Sequence, residues 1–170
     1  MRLLNPLTLA PITAAEIRMM GGWRYEPPYD VYNLLADPVT ETAVAELVSY
    51  YLFPFWRCHA VHDATGVLVA FVTFGGDAQV PGGDYDEPAL DIGLGMCPAL
   101  TGQGMGKELV TAVISFARQT FNPPVLRVTV AAFNKRAQRV WQQQGFVWRQ
   151  EFMDIGEPKR PFVILTCELG

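Results

Sequence analysis

The chain has 170 residues, half of them apolar, and a net charge of −4, enough to bury a sizeable core in one domain spanning residues 1–170. Without a basic block it offers no electrostatic footprint for nucleic acid or for an anionic membrane surface. Met1-Arg-Leu-Leu-Asn-Pro6 lacks the apolar core of a signal peptide, and no run approaches the ~18 apolar residues of a membrane span, so a soluble, cytoplasmic protein is expected.

Leu7 to Ile12 reads as a first strand. Thr13 then opens a helix whose Glu16 completes a Thr-x-x-Glu capping box, and Gly21-Gly22 ends it. The next stretch carries Trp23, Tyr25, Tyr29 and Tyr32 around two prolines, which prevent a continuous helix. Two compatible readings stand for these rings: a hydrophobic lid on the core, or the lining of a substrate cleft. A second helix runs from Thr40 to about Tyr50, with Val44, Leu47 and Val48 inward and Glu41 and Glu46 outward. Phe55–Val61 and Val67–Phe74 form a hairpin across Asp63-Ala-Thr-Gly66. Gly75 to Pro88, rich in Gly, Asp and Pro, reads as a solvated surface loop; Asp84, Asp86 or Glu87 could alternatively meet a substrate.

The chain is organised around Ala89 to Phe121. Leu90, Ile92, Leu94 and Met96 alternate with smaller or polar residues as in a strand, which Pro98 closes. From Met105 the period turns helical, with Leu109, Val110, Val113, Ile114, Phe116 and Ala117 on one side, so a helix begins within Gly102-Gln-Gly-Met-Gly106. Glycines there let a phosphate approach bare amides at a helix start; a tight connection with no ligand is the plainer alternative. The Walker A loop does not fit, because Glu108 follows Lys107 where Ser or Thr is needed. The dinucleotide fingerprint does not fit either, because the glycines are spaced G-x-G-x-G. After Asn122-Pro-Pro124, Val125–Val130 reads as a strand, Asn134 as the N-cap of a short helix ending at Gly145, and Phe146–Ile155 with Phe162–Leu169 as a final strand pair.

Cys58, Cys97 and Cys167 lack metal-ligand spacing and read as buried thiols, and His59 and His62 would alternate to opposite faces of a strand, so no metal is expected. A nucleophilic Cys97 would need a base that the sequence does not reveal.

Two motifs resemble one family. Thr101, Gly104 and Gly106 match the marked positions of the pyrophosphate motif Q/R-x-x-G-x-G/A of the GNAT N-acetyltransferases. Asn134, Ala137, Trp141, Gly145 and Phe146 match the family's N-x-x-A-x-x-x-Y-x-x-x-G-F. The resemblance covers Val67 to the C-terminus and departs at Thr101, in place of Gln or Arg, and at Trp141, in place of Tyr. It implies an α+β fold, a central mixed sheet splayed at the acyl-CoA site and flanked by about four helices.

It also implies acetyl transfer from acetyl-CoA to an amine acceptor. Met96 and Cys97 would contribute strand backbone to the cofactor, while Gln103, Gly104, Met105, Gly106 and Lys107 would cradle its pyrophosphate. Asn134 would lie near the pantetheine arm, unless it is only an N-cap. A subgroup carries a similar Trp-x-Tyr-x-x-Pro-Tyr-x-x-Tyr segment where substrate pockets form, which favours the acceptor reading of Trp23, Tyr25, Tyr29 and Tyr32.

Direct attack by an amine needs a base, and Asp91, a carboxylate inside an apolar strand, is the candidate; an ion-paired or solvent-facing Asp91 is the alternative. Trp141 cannot donate a proton as the family's Tyr would; Tyr25, Tyr29 or Tyr32 could take that part, or the thiolate could leave unassisted. A CoA-binding module without turnover and a nucleotide-phosphate-binding protein are the rival classes. The sequence leaves open the acceptor, and the choice between a monomer and a homodimer.

Overall fold

A computed structural model describes residue 2 and residues 5–170. The elements follow the order read from the sequence: β1 (Thr8–Pro11), α1 (Ala14–Gly21), α2 (Glu41–Tyr51), β2 (His59–His62), β3 (Leu68–Phe74), β4 (Leu90–Met96), α3 (Gly106–Phe121), β5 (Val125–Ala131), α4 (Lys135–Gln143), β6 (Val147–Met153) and β7 (Pro161–Glu168). The strands form one mixed sheet in the order β1-β2-β3-β4-β5-β7-β6. β4 and β5 run parallel, with register Leu90↔Leu126, Asp91↔Arg127 and Ile92↔Val128, while β1–β2, β2–β3, β5–β7 and β6–β7 are antiparallel. The strand expected from Phe55 is shorter than its apolar content suggests. Pro54–Trp56 form a 3₁₀ turn, Arg57 turns left-handed at φ 45°, and pairing begins only at His59.

By its contacts the chain divides into two compact units. One comprises the chain up to Val72 together with Leu94–Gln103. Its core is Ile12, Ile17, Met20, Tyr51, Cys58, Ala60, Leu68 and Phe71, with Trp23, Leu34, Leu47 and Val48 packed against it. α1 starts at the expected capping box: Glu16 N–H donates to Thr13 Oγ1 at 3.3 Å, and Thr13 N–H donates to Glu16 Oε2 at 2.9 Å. Two orphan donors at the helix start are thereby satisfied.

The other unit comprises Thr73–Gly93 and Gly104–Gly170. Leu109, Val110, Val113 and Ala117 of α3 are buried, as the 3.6-residue period requires. Phe74 is fully buried among the rings of Phe116 and Phe121, with centroids 5.7 and 5.0 Å away; burial of such a side chain contributes about 1.5–3 kcal/mol. Among the described residues no helix is long and apolar enough to cross a membrane.

Candidate active site

β4 carries two glycines on the face that bears Asp91, because alternate residues share a face. A methyl group at Gly95 would run into the ring of Phe71, and one at Gly93 would come within 2.5 Å of Thr73 Oγ1. These glycines admit bulky neighbours on β3. At the strand's end Cys97 N–H donates to Val69 O at 2.8 Å, so that amide is committed to the sheet. Met96 O instead accepts from the phenol of Tyr25 at 2.7 Å. Past Pro98 the chain makes a 3₁₀ turn, closed by Thr101 Oγ1 on Pro98 O at 2.8 Å. Thr101, at the position of the family's long polar side chain, therefore secures its own turn. Gln103 folds back likewise, its side-chain amide donating to Ala99 O.

α3 begins differently from the other helices. α1, α2 and α4 have side-chain N-caps in Thr13, Thr40 and Asn134, whereas Met105, the N-cap of α3, makes no such bond. Gly104 just before it has φ +75°, and a methyl group there would meet nothing within 4 Å. Gly106 has an ordinary packing reason, since its side faces Val140 of α4 at 3.4 Å. The two motif glycines thus differ: Gly106 fits a helix–helix contact, and Gly104 leaves open space before uncapped amides. Lys107 and Glu108 follow, both exposed.

The four rings of the 23–32 segment separate into two roles. Trp23 packs on the core, 6.2 Å from Phe71, as the lid reading requires. Tyr25 meets Tyr32 edge-on at 6.5 Å, and Tyr29 stacks on Tyr32 at 6.5 Å. The segment is held by Asn33, whose Oδ1 accepts from Tyr25 N–H at 2.9 Å, and by Arg24, which donates to Gly21 O, Trp23 O and Asp37. Burial, with a smaller contribution from Cys97, pushes the Tyr25 phenol well above the ordinary tyrosine range. At neutral pH its hydroxyl is a hydrogen-bond donor.

Asp91, the expected base, is buried in an ion pair. It is 3% exposed, and Arg127, its register neighbour on β5, is 4% exposed. Arg127 Nε donates to Asp91 Oδ1 at 2.6 Å and Nη2 to Oδ2 at 2.8 Å, and Gln79 Nε2 donates to Oδ2 at 2.9 Å. Both oxygens are taken by a bidentate pair, and protonation would leave a buried guanidinium uncompensated. The bond to Asp91 pushes the Arg127 guanidinium above its ordinary value against the opposing effect of burial. This geometry favours the ion-pair reading of Asp91.

The same network anchors the stretch from Gly75 to Pro88, in which Pro81, Gly82, Asp84, Asp86, Glu87 and Pro88 are exposed, in keeping with the surface-loop reading. Arg127 Nη1 donates to Glu87 O at 2.7 Å, and its guanidinium lies 4.9 Å from the centre of the Tyr85 ring. Tyr85 Oη accepts from Val80 N–H at 2.9 Å and bonds Thr129 Oγ1 at the same distance. Gln79, Tyr85, Arg127 and Thr129 were not singled out in the sequence; the signal available was an Arg and a Thr at alternate positions of an otherwise apolar strand.

The second motif is largely architectural. Asn134 Oδ1 accepts from Ala137 N–H at 3.0 Å as an N-cap. At the other end Gly145, at φ +95°, lets Gly145 N–H reach Gln142 O and Phe146 N–H reach Trp141 O. This is the Schellman ending, whose usual apolar contact between the third-last helical residue and the second beyond the cap is here Trp141 on Phe146, centroids 4.9 Å apart. Trp141 is 5% exposed and serves the core. Cys58 is buried, while Cys97 and Cys167 are half-buried. His62 Nε2 lies 2.6 Å from Glu16 Oε1, and among the described residues no cluster of three or more His, Cys, Asp or Glu forms a metal site.

Solved structures share this fold. A chimera of the spermidine N-acetyltransferase SpeG from Vibrio cholerae and hSSAT superposes with a TM-score of 0.74 at 17% identity, covering 96% of each chain. The Vibrio cholerae spermidine N-acetyltransferase in complex with CoA and spermine gives 0.71 at 17% identity, covering 95% of each. A structure ascribed to a phosphinothricin N-acetyltransferase gives 0.68 at 19%, covering 97% of this chain and 99% of that one. At such identities the likeness concerns the fold. No curated protein matches in sequence. The model of the acetyltransferase (GNAT) family matches residues 21–146, most of the chain. The fold, the helix start after Gly104 and this match agree: the chain is an acetyltransferase of the GNAT family.

Proposed function

We propose that the chain transfers an acetyl group from acetyl-CoA to a primary amine by direct attack, taking acetyl-CoA along the continuous stretch from Met96 to Lys107. The observation that carries this reading is the start of α3, where Gly104 opens space before amides that no side chain caps. Those amides and the helix dipole suit a pyrophosphate. The thioester supplies the activated acetyl group. The amine nitrogen bonds to the carbonyl carbon, the carbon–sulfur bond breaks with its electron pair going to sulfur, and the proton that the nitrogen sheds ends on the departing thiolate, directly or through water.

Because Asp91 is occupied by Arg127, the amine reaches the thioester already deprotonated. kcat/KM should therefore climb with pH towards the pKa of the acceptor amine. The acidic chain, together with a fold relative solved with CoA and spermine, makes a polyamine the first acceptor to assay.

The assignment is tested at Gly104. Any L-residue at its φ costs about 1–2 kcal/mol, so Gly104→Ala measures that strain alone. Gly104→Glu adds a carboxylate whose repulsion from a phosphate charge 4 Å away is about 4 kcal/mol at an effective dielectric of ~20. Calorimetry should show acetyl-CoA affinity nearly kept in the Ala variant and weakened on the order of 10²-fold or more in the Glu variant. A folded Glu variant with wild-type affinity would refute the phosphate assignment. The burial of Trp141 favours one second reading, acyl-CoA binding without turnover; thiol release against a panel of amines separates the two.

A further inference from the structure

We propose that Tyr25 is a positioning residue that couples the acceptor-side aromatic segment to the strand end where acyl-CoA pairs, through its hydrogen bond to the Met96 carbonyl. The inference rests on the reading that acetyl-CoA takes the backbone at the end of β4. It uses only residues of the unit containing Tyr25, Val69, Met96 and Cys97.

The geometry follows from one peptide plane. In a trans peptide the carbonyl and the following N–H point in opposite directions. Cys97 N–H is bound to Val69 O of β3 at 2.8 Å, so Met96 C=O points away from β3, towards the edge of β4 whose register with β5 runs from Leu90 to Ile92. Tyr25 Oη donates to that oxygen at 2.7 Å across 71 residues of sequence. A carbonyl oxygen has two lone pairs, so an amide N–H of a bound pantetheine and the phenol can share it.

Tyr25 is tied in turn to the aromatic segment. Its own N–H donates to Asn33 Oδ1, and its ring meets Tyr32, on which Tyr29 stacks. A ligand that fixes the Met96 carbonyl therefore fixes Tyr25, and Tyr25 orders the rings proposed to receive the acceptor. Because linkage is reciprocal, an amine that orders those rings tightens acetyl-CoA binding by the same factor. The burial that keeps the phenol protonated preserves the bond across the working pH range, so this role is independent of proton transfer.

The test uses the full chain, with acetyl-CoA alone as probe, and Tyr25→Phe, which keeps the ring and removes the hydroxyl. Hydrogen exchange of residues 23–33 is followed with and without saturating acetyl-CoA, beside calorimetric affinity. In the wild type the probe should slow exchange across 23–33. In Tyr25→Phe it should still bind, within about tenfold, the most that one net hydrogen bond of about 0.5–1.5 kcal/mol allows, but the slowing at 23–33 should vanish. Equal slowing in both proteins, or none in a wild type that binds the probe, would overturn the coupling. Failure of acetyl-CoA to bind the wild type would instead overturn the function proposed above, and this inference with it. Should Tyr25→Phe melt early, Asn33→Ala, which frees the segment while leaving the phenol, provides the second reading: the coupling requires probe-induced slowing at 23–33 to shrink there, and undiminished slowing would overturn it.

Discussion

Residues 23–33 and 75–88 are both connections rich in breakers of regular structure, yet they are held by different physics. The first rests on rings, a few backbone bonds and one exposed ion pair: Trp23 on Phe71, Tyr29 on Tyr32, one phenol on Met96 O, and Arg24 on Asp37. Each aromatic pair contributes about 0.5–1.5 kcal/mol, so the segment can rearrange around a ligand at modest cost. The second is fastened by a buried ion pair and the groups around it, Asp91–Arg127 with Gln79, Glu87 and Tyr85. A side chain removed from such a pair strands a charge, at a cost of about 3–5 kcal/mol. The aromatic connection is the one proposed to receive the acceptor, and the acidic one is fastened as scaffold.

The largest effect should come from breaking the scaffold. Asp91→Ala is expected to lower unfolding free energy by about 3–5 kcal/mol, read by chemical denaturation, and the double variant Asp91→Ala/Arg127→Met should recover part of it by removing the stranded charge. Asp91→Asn separates this role from catalysis. A scaffold Asp91 predicts lower stability and a residual pH–rate profile shaped like that of the wild type. A base predicts about 10²–10⁴-fold slower turnover that recovers as pH rises, with stability intact, and that outcome would return Asp91 to the mechanism.

A smaller effect probes the aromatic side. Gly95→Ala places a methyl group in the ring of Phe71, and overpacking of this kind costs about 1–3 kcal/mol. Because Trp23 leans on Phe71, tryptophan fluorescence should shift with the loss of stability. An unshifted spectrum in a destabilised variant would place the strain elsewhere.

This contrast also shows what could be read from the sequence. The order of elements was legible because apolar periods, Thr13, Thr40, Asn134 and the glycine stops are local signals. The helix start at Gly106 was legible for the same reason. The anchoring of 75–88 was not, since it depends on Arg127 and Thr129 meeting Asp91 and Tyr85 across 36 and 44 residues. Nor could sequence alone separate Gly106, which faces Val140, from Gly104, which faces open space. Asp91 stood out as a carboxylate in an apolar strand, but the partner that decides its role comes from pairing with another strand.

On the recognition side, Tyr29→Ala should raise the acceptor KM by about 2- to 10-fold, the range set by loss of one aromatic pair, and leave acetyl-CoA affinity unchanged. Steady-state kinetics with an identified amine decides it. Equal losses for both substrates would make the stack a packing element and erase the distinction between the two connections.

The smallest effect concerns the anchor of α1, the helix that leads into the aromatic connection. Glu16 Oε2 accepts from Thr13 N–H, and Oε1 lies 2.6 Å from His62 Nε2. Burial pushes this carboxyl up, but the bonds from Thr13 and His62 outweigh it and leave the group below the ordinary carboxylate value. A folded-state pKa below the unfolded one means that the contribution is present at neutral pH and is lost as pH falls through the folded value. Glu16→Gln keeps a capping-box side chain, since Gln also accepts from the N-cap amide, and removes only the charge. The variant should be less stable by about 0.5–1 kcal/mol at neutral pH, the scale of a partly exposed ion pair, and the gap should close in acid, below the carboxylate range. Denaturation midpoints of both proteins across that range provide the check: a gap independent of pH would show that Glu16 holds α1 by shape and hydrogen bonding alone, without its charge.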